Sequence, residues 1–538
     1  MNVTLEFAPA SGRDTSRTRP VPSWMRVALA IAIGFAAAGI ATAAPSPAGP
    51  YRADWKSLET HPMPEWLVDA KFGIYAHWGV YSVPAFESEW YAKRMYDPGT
   101  RFNEHHIKTW GHPSKFGYKD FVPLFKAERY DPEEWAKFIE ASGARYAGLA
   151  VVHHDGFLLW DSAVSRWNAK QMGPKRDLYG DLVTALRRRG LKTIATEHHI
   201  RTYNWYLPGT KTFGEGDTTK ATEIVRQQKY DLGDPAYADL YWNSMTSTYA
   251  EFMRAWRAKL LEVIDKYRPD VLWFDGGNFQ GNESEKTVLE VLAHYHNQAA
   301  AKGQQVEVLN KLPGSMKFNF PERYGILTFE EGRDRPGTVA RPWIDDMKIS
   351  DIGWGYVAGQ KYKTGGEIVA GLIDRVARGG GLLLNLSPMA DGTIPVEQKK
   401  ALLEVGAWLK VNGEAIYNTR PWTTPAEGDE SKLRTSDAHP KWTFTKVETT
   451  DIRFTRPKNG GAVYAMSLAW PNEGRALTIK SINERTLPGK ISSITLLGHK
   501  GELKFTRGAD GLRVELPALP ATAAGGKPFA LKIVAASR

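Results

Sequence analysis

Residues 131–156 read DPEEWAKFIEASGARYAGLAVVHHDG, and the fold can be worked out from this stretch. Asp131 is placed to cap a helix, Pro132 to take its first position, and Glu133 and Glu134 to favour its first turn. Gly143 ends the helix. Residues 146–152 (YAGLAVV) then form an unbroken apolar run of strand length, as a strand covered on both faces requires. His153-His154-Asp155-Gly156 follow at once. The order is helix, turn, buried strand, polar strand end.

The same order recurs on either side. Residues 71–76 (KFGIYA) read as a strand running into His77-Trp78-Gly79. A helix over 177–189, closed by Gly190, precedes a strand at 191–196 and then Glu197-His198-His199. A helix over 249–266 stops at Pro269 and precedes the strand VLWF (271–274), which delivers Asp275-Gly276-Gly277. Helices at 283–301 and 366–377 precede strands at 306–309 and 381–386, and a last helix covers 397–412. Repeated β–α units over so long a stretch predict an α/β protein with a parallel sheet, and their number favours a closed (β/α)8-like barrel over residues 44–422. Residues 423–441, rich in Pro, Gly, Thr, Ser and charge, read as a linker. From 442 to 538 short, mostly alternating strands separated by Gly, Pro, Asn or Asp predict a C-terminal all-β sandwich.

Residues 27–44 (VALAIAIGFAAAGIATAA) follow Arg17, Arg19 and Arg26 and end in small residues before Pro45. This predicts an export signal over residues 1–43, with Met25 as an alternative start, and hence a periplasmic or extracellular protein. The alternative, an uncleaved anchor, has only the minimum length for a span. The 538 residues contain no cysteine, which excludes a disulfide scaffold, a thiolate metal site and a cysteine nucleophile. The net charge of +10 is scattered, with its densest run only Arg187-Arg188-Arg189, and this argues against a nucleic-acid partner. Nineteen tryptophans point first to a deep core and also suit ligands with apolar faces; most must be core, and Trp78, Trp90, Trp160, Trp273 and Trp354 are candidates to stack on a sugar.

In a barrel, functional residues collect at the carboxyl ends of the strands. Four polar clusters, at 77, 153–155, 197–199 and 275, would therefore converge on one mouth. Asp275 stands out, because a rigid strand delivers it to the rim. No His-Glu-x-x-His pattern is present, and His153 and His154, as strand neighbours, are expected to face opposite ways. No cofactor or metal is expected, although a ligand set assembled from separate strands stays open.

Residues 71–81 (KFGIYAHWGVY), 89–91 (EWY), 152–162 (VHHDGFLLWDS), 272–277 (LWFDGG) and 380–395 (GGLLLNLSPMADGTIP) resemble glycoside hydrolase family 29, the α-L-fucosidases. The resemblance implies a retaining exo-glycosidase acting on fucosylated glycans. It implies Asp275 as nucleophile and His77, Glu89, Trp90, His153 and His154 around the sugar hydroxyls, with Trp273 and Trp354 beside the ring. For the acid/base it points to residues 328–332 (TFEEG), with Glu330 first and Glu331 in reserve. His198 takes the place of a family Tyr and Lys311 that of a family Arg, and a Trp-Glu pair reads Trp343-Ile344. These changes are expected on the leaving-group side. They keep two alternatives open: an inactive fucose-binding protein, and an exo-glycosidase for a galactose-configured sugar.

Overall fold

The computed structural model describes residues 49–210, 218–275, 282–311, 320–333, 341–434, 441, 443–471, 476–518 and 528–535. The expected export signal, Gly276, Gly277 and Trp442 lie outside these residues. Eight parallel strands close into a barrel: β1 (Phe72–Ala76), β2 (Tyr146–Val152), β3 (Lys192–Glu197), β4 (Val271–Phe274), β5 (Glu307–Lys311), β6 (Ile326–Glu330), β7 (Trp343–Lys348) and β8 (Gly380–Leu386). β1 pairs with both β2 and β8, which closes the ring. β6 and β7 did not stand out in the sequence, because acidic residues interrupt their apolar pattern.

Local chemistry explains the helices that carry the chain back. Asp131 accepts hydrogen bonds from the amides of Glu133 and Glu134, as expected of a cap. Thr248 and Glu251 form a reciprocal capping box at the start of the helix Tyr249–Tyr267, and Thr364 and Glu367 do the same for Gly365–Ala377. Tyr75, Tyr146, Ile194, Val271, Trp273, Leu309, Ile326, Ile344 and Leu383 fill the barrel interior. Gly148 is required where β2 meets β3, since a Cβ there would lie 1.8 Å from the carbonyl oxygen of Ile194.

The C-terminal strands are β9 (Thr419–Glu427), β10 (Ile452–Pro457), β11 (Val463–Ser467), β12 (Ala476–Ile479), β13 (Ile491–Leu496), β14 (Phe505–Gly508), β15 (Gly511–Glu515) and β16 (Phe529–Ala535). They form two antiparallel sheets, β13-β16-β11-β10-β9 and β12-β15-β14, around one apolar core. Residues 423–427, expected to begin a linker, instead lie in β9 and pair with β10. The helix Gly365–Ala377 meets this module through a buried Asp374–Arg453 ion pair of 2.6 Å. No helix among the described residues is long and apolar enough to cross a membrane.

Candidate active site

The carboxyl ends of the barrel strands surround a cavity of about 150 Å³. An engineered protein cavity of about this size holds benzene, so the space suits a single six-membered ring. His77, Glu89, Trp90, His153, His154, His198, Trp273, Asp275, Lys311, Glu330 and Trp354 all line it. Three further lining residues were not anticipated: Tyr75, Arg201 and Asp346.

Each side chain is delivered by its strand. His77 follows β1, and its Nδ1 lies 2.8 Å from Asn385 Oδ1 on β8. With the carboxamide oxygen as acceptor, Nδ1 carries the proton and Nε2 keeps its lone pair. His153 and His154 both reach the cavity, contrary to the expectation that they diverge. Regular strand geometry ends at Val152, just after a register shift against β3, so the two-residue alternation no longer applies to them. His154 Nδ1 is 2.6 Å from the carbonyl oxygen of His198, and its Nε2 is 3.8 Å from Asp275 Oδ2. Glu89 Oε2 accepts from the amides of Trp354 (2.9 Å) and Gly355 (3.3 Å), which ties two rim loops together. Trp273 donates its indole N–H to Thr328 Oγ1 at 3.1 Å.

Charge is concentrated on the β4–β7 side. Lys311 Nζ donates to Asp275 Oδ1 and lies 2.9 Å from Glu330 Oε2. Arg201 Nη1 stands 3.8 Å from Asp275 Oδ2. Burial pushes the Asp275 carboxyl up, but the Lys311 and Arg201 charges outweigh it and hold it well below the usual carboxylate range. Asp275 is thus an ionised carboxylate at the cavity wall. The Lys311 ammonium lowers Glu330 as well, against burial and the repulsion of Asp275. A general acid keeps its proton best in a dry or anionic site, and in the free protein Glu330 meets the reverse. Asp346, opposite Glu330 on β7, is raised well above the usual range, chiefly by burial, and accepts from Tyr75 Oη at 2.9 Å.

Burial lowers all four cavity histidines, His154 to about 3, so their imidazoles are neutral. Rings in that state can both donate to and accept from hydroxyl groups. Lys311 also lies 5.5 Å from the Trp273 ring centre, within cation–π range.

Other candidates lie elsewhere. Glu331 does not line the cavity: it is buried among Lys348, Lys363 and Lys441, at a positive φ of 52°. Trp78 and Trp160 are fully buried, donating to Met389 O and Glu262 Oε2, and cannot stack on a ligand. Ile344 packs in the barrel interior and Trp343 Nε1 donates to Arg378 O, so this pair is not on the leaving-group side. Arg201 sits in a short helical turn after β3 that carries no recognisable pattern.

Comparison with known proteins agrees with this arrangement. The family model described as alpha-L-fucosidase matches residues 39–414, and that of the alpha-L-fucosidase C-terminal domain matches 446–534. Tissue alpha-L-fucosidase of Rattus norvegicus is 32% identical over 477 residues, spanning 87% of this chain and 89% of the relative. The Homo sapiens tissue enzyme is 32% identical over 480 residues, spanning 88% and 89%. The crystal structure of Thermotoga maritima alpha-fucosidase in complex with fucose superposes with a TM-score of 0.69 at 28% identity, covering 90% of this chain and all of that one. With matching models over both domains and relatives similar along nearly the whole chain, this protein belongs to the α-L-fucosidase family.

Proposed function

We propose that the cavity removes terminal α-L-fucosyl residues from glycans by double displacement, with Asp275 as nucleophile and Glu330 as acid/base. The supporting observation is the Lys311 bridge. Two carboxylate oxygens bonded to one Nζ, the longer bond being 2.9 Å, cannot be more than twice that, about 5.8 Å, apart. Retaining glycosidases hold their carboxyl groups about 5–5.5 Å apart and inverting ones about 6.5–9.5 Å, so the bridge favours retention.

The chemistry follows from the groups present. Asp275, ionised, attacks the anomeric carbon from the face opposite the leaving oxygen, which Glu330 protonates. Glu330 then takes a proton from the water that hydrolyses the fucosyl ester. His77, His153, His154 and His198 hold the ring hydroxyls, Glu89 and Trp90 close one side, and Trp273 and Trp354 offer apolar faces. Lys311 must leave Glu330 when substrate enters, because its ammonium lies between the groups that have to flank the scissile bond. Its withdrawal lets Glu330 take up the proton it then donates.

Azide separates the two roles. In Asp275→Gly an azide ion enters through the vacated face, opposite the leaving group, so an activated aryl α-L-fucoside should give the β-fucosyl azide. In Glu330→Ala the fucosyl-enzyme still forms and azide intercepts it, giving the α-fucosyl azide. Hydrolysis by Asp275→Gly should fall by roughly three orders of magnitude or more. Wild-type turnover in that variant, or swapped anomers, would refute the assignment. Hydrolysis of the fucoside in preference to the matching galactoside distinguishes this reading from that of a galactose-specific enzyme, and any turnover excludes a mere binding protein. We also infer that the enzyme is exported, on the strength of the apolar segment before Pro45; amino-terminal sequencing of the natural protein tests it.

A further inference from the structure

We propose that His77, His153 and His198 form a site for a zinc-class divalent ion, which occupies the cavity in place of the sugar. Each residue offers one ligand atom, and these atoms all lie within 4.8 Å of one another. The ring centres form a near-equilateral triangle, with sides of 5.4 Å (His77–His153), 4.9 Å (His77–His198) and 5.1 Å (His153–His198). All three side chains are at least nine-tenths buried.

Three features point to a metal ion. The first is unused capacity: Nδ1 of His153 and Nδ1 of His198 are buried with no hydrogen-bond partner. Buried polar atoms are normally paired. The second is the anchoring of His77. Its Nδ1 is committed to the Asn385 carboxamide oxygen at 2.8 Å, the second-sphere contact that orients metal-bound imidazoles and leaves Nε2 as donor. The third is the cavity itself. Three protein nitrogens beside an open space leave a coordination position vacant, the arrangement of catalytic rather than structural zinc sites.

Closure needs only small movement. Tetrahedral zinc at about 2.0–2.1 Å from each nitrogen sets the nitrogens roughly 3.4 Å apart, so modest ring tilts complete the set. Imidazole donors without thiolates select ions such as Zn²⁺, Cu²⁺ or Ni²⁺ over Mg²⁺ and Ca²⁺. Among the charged groups lining the cavity, Glu89, Asp275 and Glu330 face Lys311 and Arg201, so a slight excess of negative charge favours a dication. Imidazole ligation supplies the rest, and binding is expected in the micromolar range. Occupancy removes three of the side chains that would hold the sugar, so the ion acts as an inhibitor.

The zinc binding does not depend on the fucosidase reading; only its competition with fucose does. Equilibrium dialysis of the full chain against zinc chloride, with the metal measured directly, should find one zinc per chain. His153→Gln and His198→Gln, with folding checked by circular dichroism, should each weaken it at least about tenfold. No bound zinc at millimolar concentration, or undiminished binding in both variants, would overturn the site. If the variants misfold, Co²⁺ added to the wild type gives the answer: a strong visible band of low-coordinate cobalt supports the site, and a weak octahedral spectrum refutes it. L-fucose should release the zinc, and fucose binding alongside retained zinc would disprove the shared location. Fucose that does not bind even without metal would instead count against the fucosidase reading.

Discussion

Replacing Lys311 by methionine removes the bridging charge while keeping the length of the side chain. Lys311 Nζ is 2.9 Å from Glu330 Oε2. At an effective dielectric constant of about 20, a pair at that distance interacts by about 6 kcal/mol, an upper bound of roughly four pK units. Solvent reaches part of Glu330, whose side chain is 26% exposed, and Arg333 remains 3.7 Å away. Both reduce the effect, to a rise of roughly one to two units. Asp275 should move less, because Arg201 stays within 3.8 Å of it. The assay is the pH dependence of kcat/KM on an aryl α-L-fucoside, which reports the free enzyme. With Glu330 as the proposed acid/base, its alkaline limb follows loss of that residue's proton. In the wild type that limb should lie on the acid side, because Lys311 favours the ionised form. In Lys311→Met it should move up by at least about one unit, and Lys311→Arg should restore the wild-type position. The position of the limb does not depend on how much overall rate the variant loses. An unmoved limb, or a shift toward acid, would show that Lys311 does not control Glu330.

Glu331→Gln should leave both limbs of the profile in place, since Glu331 faces three lysines away from the cavity; a lost alkaline limb would transfer the acid/base role to it. Glu307, at the start of β5 and almost fully buried, is pushed up to about 8 by burial. The unfolded chain releases this proton near pH 4.5 while the folded protein keeps it, so the term lowers stability as pH rises through that window. At pH 7 the cost is about 3 kcal/mol, and Glu307→Gln should recover part of it. Urea unfolding should show a gain over wild type at pH 7 that vanishes by about pH 4; a gain independent of pH would contradict the assigned cause.

The parts of the fold that were legible in the sequence are those whose stability is local. β2 is apolar throughout, and its preceding helix has Asp131, Pro132 and Gly143 as explicit boundary signals. β6 and β7 were not legible because they contain Glu330, Asp345 and Asp346, which single-sequence reasoning assigns to solvent. Each is accommodated by a partner on another element: Glu330 by Lys311 on β5, Asp345 by Arg375, thirty residues on, and Asp346 by Tyr75, on the opposite flank of β8. The second half of β9 read as a linker because of Pro425 and the adjacent Gly428. β9 is an edge strand, where proline costs no ladder hydrogen bond. At the site, motif residues at strand ends were recognisable, whereas Arg201 and Tyr75 acquire their relevance only from folding. Arg201 reaches Asp275 across 74 positions of chain, and no local pattern marks it.

The Lys311 ammonium also bears on the proposed double displacement. In the free protein a cation rests between Asp275 and Glu330. In the proposed double displacement, positive charge builds on the anomeric carbon and ring oxygen between the same two groups. The two cations therefore compete for one place, and the carboxylates are already oriented toward it before substrate arrives. A fucose-shaped iminosugar, charged at its ring nitrogen, meets the same competition, whereas neutral L-fucose does not. Two such charges about 4 Å apart repel by about 4 kcal/mol at an effective dielectric of about 20. The Lys311 side chain can swing away and the carboxylates screen it, so roughly 1.4 kcal/mol, a factor of about ten, is expected to survive. Calorimetry at neutral pH, where both carboxylates stay ionised, should show the preference of Lys311→Met for iminosugar over L-fucose exceeding that of the wild type by about this factor. An equal preference in the two proteins would mean that the ammonium lies outside the path of the developing charge, and the displacement of Lys311 would then have no part in catalysis.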